Sequence, residues 1–382
     1  MKAVKESYKH FSKSYLFTEI EARVVKSGSS DLVSLGVGDV SLPLAPSVKN
    51  AIIEAVEEMG SCPIGYGPTD GYTFLKKALL ETEYAPYNFT LEEISINDGI
   101  SSAITTMASI FPKDYKIGII DPAYPAYQNA ARLEEREITL LPCLEENGFI
   151  PRPPKEKLDI VYLCSPHNPT GTAMTKDDLQ MWVDYARAHK AILFFDAAYH
   201  AFIQSPSVPT SIYACRGAKE VAIEFRSFSK SAGFTGLRLG YVVTPKELAI
   251  SSFWRLRQDV YTNGFAYPVQ KGALQALSPI GKEETRAQVE SYLQGAKVLK
   301  ETLESKGFLV YGGKDIPFLW WKVGGDSWQA FDTLLHKYGL ITVPGKGFGP
   351  SGEGFIRLSA FLSAVKLEKA LSRLETVTQG VL

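Results

Sequence analysis

Between about Lys113 and Thr244, short apolar runs alternate with polar, amphipathic stretches. The runs "KIGIID", "LDIVYLCSP", "AILFFDAAY" and "VAIEFRSFSK" predict buried strands: they are short, rich in Ile, Val and Phe, and end in polar or turn residues. Between the second and third, "TKDDLQMWVDYARAHK" predicts a helix, because Leu179, Trp182 and Ala186 recur at helical spacing behind Thr175, a favourable N-cap. Strand, helix and strand in that order imply a mostly parallel sheet. After about Gln275 the pattern changes. "EETRAQVESYLQGAKVLKETLESKG" predicts a long amphipathic helix with Val289, Leu293, Ala296, Leu299 and Leu303 on one stripe and Gly307 just past its end. Strand-like "FLWWKV" and "GFIRLSAF" follow, then a last helix. The expected organisation is a large α/β domain over residues 45–274 and a smaller α+β domain made of residues 1–44 and 275–382.

Composition narrows the function. The chain has 382 residues, 45% of them hydrophobic, enough for a large buried core. Its 41 basic and 42 acidic residues nearly cancel, and no basic block is interleaved with aromatics, which argues against nucleic acid and for small-molecule partners. Cys62, Cys143, Cys164 and Cys215 are scattered, with no CxxC pair to suggest a disulfide frame or a bound metal, and they suit a reducing compartment. The opening "MKAVKESYKHFSKSY" has no apolar core, and runs such as "AILFF" are too short to span a bilayer. A cytoplasmic protein without membrane partners is expected.

In open parallel sheets, ligands bind beyond the carboxyl ends of the strands. The polar residues at those ends are Asn168 in "SPHNPTG", Asp196 and Tyr199 in "DAAY", Ser227, Ser229 and Lys230 in "SFSK", and Arg238 in "GLRLG". Taken singly they are ordinary: a lysine after a strand is usually a solvated charge, an aspartate a cap, and Pro-Asn-Gly a turn. Taken together they ask for a single ligand with an electrophile for the amine, a protonated ring nitrogen for the carboxylate and a dianion for the hydroxyls and guanidinium. Pyridoxal 5′-phosphate has all three. Lys230 would then condense with the aldehyde, Asp196 would keep the ring nitrogen protonated, and Asn168 and Tyr199 would bond the ring's phenolic oxygen. Upstream, "NDGISSAITTMASIF" reads as a turn feeding a helix, placing the backbone of Gly99, Ile100 and Ser101 near the phosphate. Tyr124 in "DPAYPAY" is placed to stack on the ring.

These motifs in this order, with "GVGDVSLPL", "GYGPTDG", "CSPHNPTGT", "SFSKSAGFTGLRLGY", "TNGFAYPVQ" and "PGKGFGPSGEGFIRLS", resemble the fold-type I aminotransferases of classes I and II over essentially the whole chain. Within that family they are most similar to the LL-diaminopimelate aminotransferase branch. The resemblance implies a mostly parallel seven-stranded sheet flanked by helices, a smaller α+β domain, and a homodimer with shared active sites. It implies substrate contacts from Tyr15, Gly38, Tyr124, Asn168, Asn263 and Arg357, with Arg357 in "FIRLS" forking onto the α-carboxylate. Tyr66 and Asn263 would reach the cofactor or substrate from a subunit interface. Lys230, Asp196 and Tyr124 would be catalytic, and the substrates an amino acid and a 2-oxo acid: LL-diaminopimelate and 2-oxoglutarate, in lysine and cell-wall synthesis. Two motifs depart from the pattern: Ser101 stands where the family usually has lysine, and "GDVS" with Val40 and Ser41 replaces "GDTT". They keep open an aminotransferase for aspartate, aromatic or other amino acids. A β-eliminating lyase shares the same chemistry, and a cofactor-binding regulator is the remaining alternative.

Overall fold

A computed structural model describes residues 5–11 and 15–380. Residues 1–4, 12–14 and 381–382 of the expected smaller domain lie outside the described residues. Seven strands form the main sheet: β1 (Ile94–Asn97), β2 (Ile117–Asp121), β3 (Ile138–Pro142), β4 (Ile160–Cys164), β5 (Ile192–Asp196), β6 (Ala222–Ser227) and β7 (Gly240–Val243). Their order is β1-β7-β6-β5-β4-β2-β3, and β7 alone runs against the others. Strands β2, β4 and β6 are buried along their whole length, which is why β2 and β4 read as apolar runs rather than alternating ones; in β6 the buried Glu224 and Arg226 pair with each other at 2.8 Å. The helix Lys176–His189 joins β4 to β5, with Thr175 Oγ1 accepting from Asp178 N at 3.2 Å.

Two details of the strand ends differ from the sequence reading. β6 stops at Ser227, and Lys230 stands on a single helical turn, Phe228–Ser231, because the Ser227 hydroxyl accepts from Ser229 N at 3.0 Å and ends the strand. Arg238 precedes a strand rather than terminating one. It still reaches the same edge, because the reversed β7 starts where its parallel neighbours finish.

The helix Pro279–Ser305 begins ahead of the expected stretch, where Ser278 Oγ accepts from Gly281 N at 3.1 Å. It closes with Gly307 at φ +82°. Val289 and Tyr292 pack on the core of the main sheet, whereas Ala296, Leu299 and Leu303 pack on a second core. That second core lies around an antiparallel sheet of β8 (Leu309–Gly312), β9 (Phe318–Lys322), β10 (Val343–Pro344) and β11 (Phe355–Ser359), ordered β10-β11-β9-β8. Val33–Ser34 pairs in parallel with Leu340–Ile341, so the segment before the main sheet joins this second layer. Among the described residues, no helix is long and apolar enough to cross a membrane, and no group of His, Cys, Asp and Glu could hold a metal ion.

Candidate active site

A cavity of ≈ 320 Å³ opens at the carboxyl edge of the main sheet. Its wall gathers Tyr15, Gly38, Ile100, Ser101, Tyr124, Asn168, Asp196, Tyr199, Ser227, Ser229, Lys230, Arg238 and Arg357, nearly every residue singled out in the sequence. Tyr66 and Asn263 do not line it. Tyr66 is 88% exposed, and Asn263 is exposed beside it: a Cβ on Gly264 would lie 2.8 Å from the Gly67 carbonyl, so the two loops touch.

The Lys230 amine donates to the Gly38 carbonyl. Burial holds its pKa down to about 8, Asp39 pulls the other way, and Arg357 and Arg238 add to the depression. A buried amine that is partly neutral near physiological pH is a nucleophile and a base. Asp196 ends β5 beside Cys164 of β4. Its carboxylate accepts from Ala198 N at 2.9 Å and from the Tyr127 hydroxyl. Burial raises its pKa, and those hydrogen bonds oppose the rise; a cationic partner would reverse it.

Arg357 is buried on β11, opposite Trp320 of β9. Its guanidinium donates to Asn168 Oδ1 at 2.7 Å and to the Gly36 carbonyl, and Nε has no partner among the described residues. The Phe318 and Phe348 ring centroids lie 4.5 and 4.8 Å from it. Burial lowers its pKa to about 10, still charged at neutral pH. A buried cation with an unused N–H calls for an anion. Asn168 is carried by a turn in which His167 Nδ1 lies 2.6 Å from Thr170 Oγ1 and Gly171 N donates to the His167 carbonyl at 2.8 Å. Burial lowers the His167 pKa to about 3, so this imidazole is a neutral brace.

At the other end of the cavity Arg238 Nη1 is 3.4 Å from Ser229 Oγ. A Cβ on Gly99, at φ +101°, would meet Arg238 Nη2 at 2.6 Å, so the backbone there must be bare. Two hydroxyls, a guanidinium and a close-lying backbone form a cradle for a phosphate. The donor set therefore fits pyridoxal phosphate from end to end.

Some wall residues were not singled out from sequence. Tyr127 binds Asp196 and meets Tyr124 edge-on, with centroids 5.7 Å apart. The signal was present in "DPAYPAY": Pro125 opens the helix Pro125–Leu133, and Tyr127 lies one turn from Tyr124. Phe318, on the wall, and Phe348, which packs on Arg357 from outside it, had no comparable local signal.

The fold and this site define a class of enzyme. The sequence profile of the family described as "Aminotransferase class I and II" matches residues 30–374, and the chain belongs to that family. It is 42% identical over 404 residues to a protein of Phocaeicola vulgatus named LL-diaminopimelate aminotransferase, covering 98% of this chain and 99% of that one. A protein of the same name from Methanosphaera stadtmanae is 41% identical, covering 97% and 98%. Among solved structures, the L,L-diaminopimelate aminotransferase from Chlamydomonas reinhardtii superimposes with a TM-score of 0.93 at 34% identity, over 98% of each chain.

Proposed function

We propose that this aminotransferase uses pyridoxal phosphate to move the amino group of LL-diaminopimelate to 2-oxoglutarate. The products are tetrahydrodipicolinate, the cyclised keto product, and glutamate, in lysine and cell-wall synthesis. The observation that carries the reading is the gathering, in one cavity, of a pKa-depressed amine, Lys230, a buried guanidinium, Arg357, and a phosphate cradle of Ser227, Ser229 and Arg238. The full-length likeness to enzymes named for this reaction supports the choice of substrate.

Lys230 would hold the cofactor through its amine, Asp196 its ring nitrogen, Asn168 and Tyr199 its phenolic oxygen, and Ser227, Ser229, Arg238 and the backbone at Ile100 and Ser101 its phosphate. Tyr124 would cover the ring. When bound, the cofactor supplies an aldehyde for amine exchange and a cationic ring that accepts the electron pair left at the substrate α-carbon. Asp196, ionised against that cation, keeps the ring protonated. Arg357 and Asn168 would hold the α-carboxylate and present the α-hydrogen to Lys230 Nζ, which, once the substrate amine has taken its place on the cofactor, would be free to take that proton as a general base. Tyr15 and Gly38 border the substrate. The two substrates use the same clamp in turn, one delivering the amino group and the other removing it.

We infer a homodimer in which Tyr66 and Asn263 of each subunit reach the partner's cavity. Ile53, Val56 and Met59 on the helix Pro46–Ser61, and Phe253, Leu256, Val260 and Tyr261 on Ser251–Tyr261, flank those two residues and are all exposed. The free, mostly buried thiols suit a cytoplasmic location.

Ser101 favours a second reading, an aminotransferase for aspartate or aromatic amino acids, because it lines the cavity where the family usually carries lysine; Val40 and Ser41, the other departure, do not line the cavity, and Ser41 N donates to the Tyr292 hydroxyl at 2.9 Å. Glutamate formation from 2-oxoglutarate, with LL-diaminopimelate, aspartate or phenylalanine as donor, separates the two. A kcat/KM for LL-diaminopimelate far above the others is expected. A preference for aspartate or phenylalanine keeps the transaminase and removes the lysine-pathway role.

A further inference from the structure

Arg357 is aligned from outside the cavity. The loop between β10 and β11 carries Phe348 onto its guanidinium, and this loop is fastened to the end of β2 at two points. Ala123 N donates to the Phe348 carbonyl at 2.9 Å, and Ser351 N donates to Asp121 Oδ2 at 2.9 Å. Asp121 is 3% exposed, and its Oδ1 has no hydrogen-bond partner among the described residues. Gly349 lies between the fastenings at φ +136°, and a Cβ there would fall 1.7 Å from Asp121 Oδ1. The loop backbone is therefore pressed onto the carboxylate. Three residues beyond Asp121, the same strand end carries Tyr124.

A buried carboxylate with an unpaired oxygen costs stability, so packing alone does not account for it. What Asp121 accomplishes is a connection. It joins the segment that bears Tyr124 to the loop that bears Phe348, fixing the cavity's aromatic cover against its guanidinium.

We propose that Asp121 is the positioning residue of the carboxylate clamp, holding the 345–352 loop so that Phe348 confines Arg357. Asp121 touches neither substrate nor cofactor and acts through Phe348 and Arg357. The inference rests on the reading of Arg357 as the clamp.

The test uses the cofactor-loaded enzyme and its Asp121→Ala, Asp121→Asn, Gly349→Ala and Arg357→Lys variants. KM and kcat are measured for the amino donor and for 2-oxoglutarate, and the dissociation constant of glutarate, a dicarboxylate that cannot react, by calorimetry. Losing a charge-assisted hydrogen bond that orders a loop, Asp121→Ala raises both KM values and the glutarate constant roughly tenfold, with kcat changed by less than about threefold. Asp121→Asn, which keeps an acceptor oxygen for Ser351 N, recovers most of the loss. Gly349→Ala reproduces it in a chain with Asp121 intact, and supplies the readout if Asp121→Ala does not fold. Unchanged KM and glutarate affinity in Asp121→Ala and Gly349→Ala overturn the proposal, as does a fall in kcat and melting temperature without a change in KM. Arg357→Lys keeps the outcomes distinct: if it leaves glutarate binding intact, the clamp reading itself fails, whatever Asp121 does.

Discussion

Lys230 and Arg357 are moored to one three-residue strap: the amine donates to the Gly38 carbonyl and the guanidinium to the Gly36 carbonyl. One group stands on the helical turn after β6 and the other on β11 of the second sheet, yet both are bonded to Gly36–Gly38, which ties their spacing more directly than domain packing alone. The strap is tightly enclosed. A Cβ on Gly36 would meet the Thr342 carbonyl at 2.8 Å, and one on Gly38 would meet Phe318 Cζ at 2.8 Å.

Gly38→Ala is therefore expected to lower kcat/KM by roughly ten- to a hundredfold, because it pushes Phe318 or the strap outward and shifts amine and clamp relative to each other. Steady-state kinetics with a melting curve check it. A variant with wild-type kinetics would show that the strap does not set the spacing.

Lys230 is paid for in stability. Its folded pKa of about 8 lies below the ordinary 10.5, so between these values the unfolded chain holds a proton that the folded chain lacks. Stability from this group therefore rises with pH from about 8 to 10.5, and below pH 8 the full cost of burying the ammonium is present. Lys230→Met should abolish turnover and stabilise the cofactor-free protein at pH 7 by about 2 kcal/mol, discounted for the lost bond to Gly38. Denaturant melts at pH 7 and pH 10 decide it: the gain should shrink at the higher pH, and a destabilised variant at pH 7 contradicts the burial argument.

Tyr127→Phe removes a donor that stabilises the ionised Asp196. Burial raises the Asp196 pKa and a cationic ring would lower it again; in either state the Tyr127 hydroxyl favours the ionised form, so losing it moves the pKa up. Turnover should fall more at the acid end of the rate profile than at the alkaline end. A uniform loss across the pH range would mean that Tyr127 serves only packing.

Much of this was legible in the sequence for a local reason. β2, β4, β5 and β6 are apolar runs that end in turn or polar residues, and the fold puts ligand groups at those ends, so Asp196 and Asn168 announce themselves. β1, β3 and β7 were not assigned individually. β1 and β7 are four residues long, and β3 is half-exposed over most of its length, so none has a strong period of its own. The helical turn under Lys230 depends on the Ser227 cap, which "VAIEFRSFSK" hides inside an apparent strand. Phe318, Phe348 and Gly36 meet Arg357 only through tertiary packing, and no spacing rule connects Gly36 to a residue 321 positions away.

Exposed apolar surface gives the last prediction. Val56 and Leu256 are 54% and 60% exposed, on two helices flanking the place where Gly67 and Gly264 touch. Exposed apolar side chains gathered on one face are the kind of surface that marks a protein–protein contact. If a second copy covers them, Val56→Glu and Leu256→Glu bury a charge without a partner in each interface and should yield monomers by size-exclusion chromatography and light scattering. On the shared-site reading turnover should also fall with dimer content, because Tyr66 and Asn263, which do not line their own cavity, would then act in the partner's. The two measurements separate the two claims. A monomeric wild-type protein removes the dimer, whereas monomeric variants with full activity keep it and remove the shared site.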